Sequence, residues 1–69
     1  MINMKLFEEE MKKRNISKIE MSNSLDMSRT AFYRKCNGIS EFTLGEIKKI
    51  SQILGQDSAI NIFFTDKVS

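Results

Sequence analysis

The chain has 69 residues, 41% of them hydrophobic and 29% charged, with a formal net charge of +2. That length suits one compact domain, in which roughly 60% of the unfolded surface can be buried, and the balance is that of a soluble globular protein. No proline and only three glycines occur, so helices joined by short connections are favoured over strands and long loops. One cysteine, Cys36, and no histidine exclude a disulfide framework and the usual zinc sites, and the commonest general base is missing. No apolar run approaches the roughly 20 residues that span a bilayer, and Glu8, Glu9 and Glu10 stand where a signal peptide needs an apolar stretch. A cytoplasmic, non-enzymatic protein without metal, cofactor or small-molecule ligand is therefore expected.

Positive charge is concentrated in the first half. Residues 1–35 carry eight basic and five acidic side chains, residues 36–69 three and four, and between Met27 and Ser40 three basic residues occur with no acidic one. In chain order, Met4, Phe7 and Met11 mark the apolar stripe of a first helix capped by Asn3. Three glutamates precede Lys12, Lys13 and Arg14, which complements the helix dipole and predicts the pairs Glu8–Lys12, Glu9–Lys13 and Glu10–Arg14 on an exposed surface. Asn15 suits a left-handed stop.

Ser17-Lys18-Ile19-Glu20 is a capping box, with Ile16 and Met21 spaced as its hydrophobic staple. A second helix is predicted from Lys18 to about Leu25. After Asp26-Met27, Ser28 caps a third helix that ends at Asn37-Gly38. Thr43-Leu44-Gly45-Glu46 repeats the box, with Phe42 and Ile47 as staple, and a fourth helix places Leu44, Ile47, Ile50 and Leu54 on one face before Gly55. Asp57 or Ser58 starts a short fifth segment, although Ile60-Asn61-Ile62-Phe63 alternates as a strand would; periodicity leaves helix, strand and tail open for residues 56–69.

Two short helices with a three-residue turn over residues 17–38 have the helix-turn-helix layout. On the second of them, Phe32 and Cys36 point inward, with Ala31 at the boundary. Arg29, Thr30, Tyr33, Arg34 and Asn37 form the opposite stripe. Arginine donates in bidentate fashion to guanine, and threonine presents a hydroxyl and a methyl. Arg29, Thr30, Tyr33 and Arg34 are thus assigned to groove contact, and Lys18, Ser28, Asn37 and Ser40 to phosphate. Lys35 is ambiguous between phosphate and no role. Cys36 reads as a small core residue.

Lys18 to Gly38 resembles the motif of the Cro/CI family of lambda-repressor-like regulators, down to the terminal Asn-Gly. The resemblance implies an all-α bundle of about five helices that binds double-stranded DNA as a symmetric dimer. It places Lys18 where the family commonly has a phosphate-binding glutamine that braces the first recognition residue. Arg29 and Thr30 fall at the base-reading positions, Asn37 at a backbone-contact position and Phe32 at the core position. Ser22 stands where alanine is usual and Asp26 where the turn glycine is usual. Residues 41–64 look like small phage and prophage regulators, and the lack of a second domain leans towards a Cro-like protein. Ile60, Ile62, Phe63 and Phe64 are candidate dimer contacts. They also support the competing reading, a protein-interaction module of antirepressor or antitoxin type.

Overall fold

A computed structural model describes residues 2–64, and these contain five helices and no strand. They are α1 (Met4–Lys13), α2 (Lys18–Ser24), α3 (Arg29–Cys36), α4 (Leu44–Leu54) and α5 (Gln56–Phe63). The starts are set by side chains that accept from otherwise orphaned backbone N–H groups. The Leu6 N–H donates to Asn3 Oδ1 at 3.1 Å, and the Ala31 N–H to Ser28 Oγ at 3.1 Å. Both predicted capping boxes are complete. The Glu20 N–H donates to Ser17 Oγ at 3.0 Å and the Ser17 N–H to Glu20 Oε1 at 2.8 Å; Thr43 and Glu46 repeat the exchange at 3.1 and 2.9 Å.

The ends of α1, α2 and α3 share one device. Asn15, Asp26 and Gly38 take φ values of 59°, 58° and 81°. The next residue's N–H in each case turns back to a carbonyl five positions earlier: Ile16 to Met11, Met27 to Ser22 and Ile39 to Arg34, at 2.9 to 3.0 Å. This is the Schellman motif, which satisfies the last carbonyls and folds an apolar residue against the helix it has just left. Asp26 thus adopts the left-handed conformation for which the motif usually employs glycine, as aspartate can. Gly55 has a different task. It ends α4 and caps α5 at once, with φ 101° and ψ 147°, a region essentially restricted to glycine.

The core is built from Phe7, Met11, Met21, Leu25, Phe32, Cys36, Ile50, Leu54 and Ile62, one or more from every helix. Phe7 is its hub, with ring centroids 6.0 Å from Phe32, 6.2 Å from Phe42 and 6.1 Å from Phe63, all at steep interplanar angles. The chain ends of the bundle are joined by the Asn3 N–H, which donates to the Ile62 carbonyl at 2.8 Å.

Four expectations are corrected by packing. Residues 56–63 form a helix, and Ile62 is 1% exposed in the core, so it is not available to a dimer contact; Phe63 is half-buried against Phe7 and Phe42. The alternation of Ile60 and Ile62 arises because a helix projects them about 200° apart, one outward and one inward. Leu44, expected on the buried face of α4, is 71% exposed, because it sits at the first helical position before α4 reaches the core. Glu10 is not on a charged surface: it is 7% exposed. Its carboxylate accepts from Arg14 at 2.7 Å, from Lys13 at 3.1 Å and from the Ser58 hydroxyl at 3.0 Å, which ties α1 to α5. The Arg14 guanidinium, with Lys13 and Ser58, overcomes burial and lowers its pKa to about 2. Finally, Lys13 goes to Glu10 and Glu8 goes to Lys18, in place of the predicted Glu9–Lys13 and Glu8–Lys12 pairs.

Candidate nucleic-acid interface

The site follows from how α2 and α3 are held. Met21 on α2 and Leu25 at its C-cap, with Phe32 and Cys36 on α3, face the core and leave one long side of α3 uncovered. Ser22 is 1% exposed, and its hydroxyl donates to the Ile19 carbonyl at 2.8 Å. This buried polar side chain is therefore satisfied within its own helix. The turn Asp26-Met27-Ser28 is closed by the left-handed Asp26 and capped by Ser28, so the entry angle of α3 is set by local backbone chemistry.

On the uncovered side, Arg29, Thr30, Tyr33, Arg34 and Asn37 are all exposed, in the stripe that their spacing predicted. Neither Arg29 nor Arg34 has an intramolecular side-chain partner among the described residues. Their charge is available to solvent or to a polyanion. Tyr33 is 41% exposed and has a double environment: its ring packs edge-on against Phe32 at 6.4 Å, and the Lys18 ammonium stands 5.6 Å from its centroid. The inner edge of the ring belongs to the core margin, while the rest is presented outward.

The predicted phosphate set is less uniform. Asn37 and Ser28 are exposed, with the Ser28 hydroxyl engaged as the α3 cap. Ser40 is half-buried, and its N–H donates to the Arg34 carbonyl at 3.3 Å, just beyond the end of α3. Lys18 is half-buried and forms an ion pair with Glu8 Oε2 of α1 at 2.8 Å, which raises its pKa. Sequence reasoning missed Glu8 in this role. No local spacing signals it, because the contact is made by tertiary packing of α1 against the start of α2.

Lys35 is removed from the interface. Its ammonium lies 2.6 and 2.8 Å from the two Glu46 carboxylate oxygens and 6.0 Å from the Phe42 ring. Burial by itself raises the Glu46 pKa, but the Lys35 ammonium and the Thr43 amide reverse this and hold it lowered. Glu46 therefore has two tasks, as the return half of a capping box and as the anchor that clamps α3 to α4. Cys36 sits beneath α3 with its thiol pKa pushed up to about 11 by burial, so it is a packing residue and a poor nucleophile. Among the described residues no group of three potential ligands is placed to hold a metal ion, and no helix is long and apolar enough to cross a membrane.

The arrangement, a capped helix pair that presents a cationic and hydrogen-bonding helix face, fits a DNA groove. Residues 7–57 match the family model for the Cro/C1-type HTH DNA-binding domain. No curated protein and no solved structure matches the chain significantly. The matched stretch runs from within α1 to the start of α5, and thus covers the whole Schellman-terminated helix pair and its clamp on α4; the chain belongs to the Cro/C1-type helix-turn-helix DNA-binding family.

Proposed function

We propose that this protein is a sequence-specific transcriptional regulator of the small phage Cro/repressor type, with α3 in the major groove of its operator. The observation that carries this reading is the unpartnered, exposed Arg29–Arg34 stripe on a helix whose other basic residue, Lys35, is diverted into a structural clamp. Arg29 and Thr30, in the first turn of α3, contact base edges, and Tyr33 and Arg34 extend the contact along the groove. Lys18, Ser28, Asn37 and Ser40 set position on the phosphates, with Lys18 leaving Glu8 to do so. The protein acts by occupying an operator and excluding polymerase or a competing repressor.

Two copies act together on a two-fold operator, with recognition helices about 34 Å apart. Ile60 and Phe64, exposed on and after α5, are the apolar side chains left for that contact once Ile62 and much of Phe63 are taken into the core. The same burial weakens the reading as a partner-capture module, which depended on a larger apolar C-terminal area. Residues 65–69, included in the expected dimerisation segment, lie outside the described residues.

A gel-shift titration of the full chain against the DNA upstream of its own gene, at several salt concentrations, tests the proposal. Arg29→Ala is expected to cost about 1–3 kcal/mol and to relax specificity at one base pair. Absence of specific binding at every salt concentration refutes the reading.

A further inference from the structure

We propose that Glu8 is a latch on Lys18: it competes with backbone phosphate for the Lys18 ammonium and thereby lowers affinity for all DNA sequences alike. The inference rests on the reading of α2 and α3 as the DNA-facing pair. Lys18 stands beside the exposed stripe of α3, its ammonium 5.6 Å from the centroid of the Tyr33 ring, so it borders the face that this reading lays against the DNA backbone. Its ammonium is 2.8 Å from Glu8 Oε2 and is shared with the face of the Tyr33 ring. Both members of the pair are accessible, with side-chain exposures of 36% for Lys18 and 49% for Glu8. A phosphate that approaches the start of α2 therefore meets a cation already neutralised, with a carboxylate beside it.

The pairing is a choice of the fold. Glu8 has Lys12 one helical turn away on α1, exposed and at the favourable i,i+4 spacing, yet its carboxylate is directed across to α2. Either outcome on DNA opposes binding. If Lys18 exchanges partners, the Glu8 ion pair is lost; if it does not, one phosphate contact is missing and a negative charge faces the backbone. Neither depends on base identity, because phosphate contacts carry no sequence information directly. Glu8 thus trims total affinity and leaves the ratio between operator and other sequences where Arg29 and Thr30 set it.

The test uses the full chain with labelled duplexes, one of random sequence and one from upstream of its own gene. Fluorescence anisotropy is read at about 0.1 M salt, where the Debye length of about 10 Å mutes distant charges. The variants are Glu8→Gln, Lys18→Met, the double variant and Glu9→Gln, which removes the same charge at an exposed position next door. Glu8→Gln is expected to tighten binding to both duplexes about 2- to 5-fold, the range of an exposed ion pair. In the Lys18→Met background the gain should shrink to the residual effect of removing one negative charge, the size seen in Glu9→Gln, which should fall short of the Glu8→Gln gain in the parent. Unchanged affinity in Glu8→Gln, a gain that keeps its full size in Lys18→Met, or an equal gain in Glu9→Gln overturns the latch. Tyr33 is the only tyrosine and there is no tryptophan, so intrinsic fluorescence of the free protein reports on the surroundings of this one ring, the Lys18 ammonium among them. Its yield should change in both Glu8→Gln and Lys18→Met; an unchanged yield in both also overturns the latch. If the parent chain binds neither duplex, the regulator reading falls and the latch with it. If it binds both and Glu8 has no effect, only the latch falls.

Discussion

Phe7→Leu is the most direct test of how the core supports the recognition helix. Phe7 is fully buried and meets the rings of Phe32, Phe42 and Phe63 at 6.0 to 6.2 Å. Leucine keeps the site apolar but removes all three steep ring contacts. Each such contact contributes about 0.5–1.5 kcal/mol beyond the area it buries. Their losses overlap because they share one ring, so a cost of about 2 kcal/mol is expected, against about 3–5 kcal/mol for Phe7→Ala. A domain of this size is stabilised by roughly 3–10 kcal/mol in total. For small domains each kcal/mol corresponds to about 4–8 °C, so Phe7→Leu should lower Tm by about 8–16 °C. Urea denaturation followed by far-ultraviolet circular dichroism measures the change, with Leu44→Ala as the exposed apolar control, expected within about 0.5 kcal/mol of the parent. At temperatures where the variant is folded, its DNA preference should be that of the parent, since no groove residue is altered. A cost no greater than that of Leu44→Ala would refute the hub assignment.

Gly55→Ala forces a Cβ into a φ of 101°, and although no neighbour lies closer than 3.9 Å, the backbone strain should cost about 1–3 kcal/mol in the same denaturation assay. Ser28→Ala removes the α3 cap and should cost about 1 kcal/mol; a neutral effect would show that the turn geometry holds α3 without it. Glu10 has a folded pKa of about 2, below the unfolded carboxylate value of about 4.3, so its contribution is fully present above that range and is lost as pH falls towards 2. Stability of Glu10→Gln, followed by Tm against pH, should accordingly be lower at neutral pH and fall less steeply on acidification than that of the parent. Cys36 should resist thiol-directed alkylation in the native protein at pH 8 and react once denatured; rapid native labelling would contradict its burial.

Local chemistry made most of the helices legible. Caps, capping boxes and left-handed stops depend on residues within five positions of one another, so Ser17, Glu20, Ser28, Thr43, Glu46, Asn15 and Gly38 marked the ends of α1 through α4 in the sequence itself. The exposed stripe of α3 was legible for the same reason: helical periodicity assigns faces without reference to neighbours. The fifth helix was not, because its cap is a glycine without a side-chain acceptor and its short apolar run fits either period.

Tertiary structure alone decided where charges and apolar side chains were finally committed. Glu8, Lys18, Lys35 and Glu46 lie on helices that the sequence placed correctly, yet their ion pairs were set by which helix packs against which; Glu10 keeps the Arg14 partner that i,i+4 spacing predicted. Long charged side chains have several possible partners within reach, and small differences in backbone placement select among them. Ile62 became core and Ile60 surface once α5 docked on α1 through Asn3 and Ser58. The sequence by itself determined a capped helix-turn-helix with a cationic face; only the packed bundle decided that Arg29 and Arg34 stay open to a partner while Lys18 is held by Glu8 and Lys35 by Glu46.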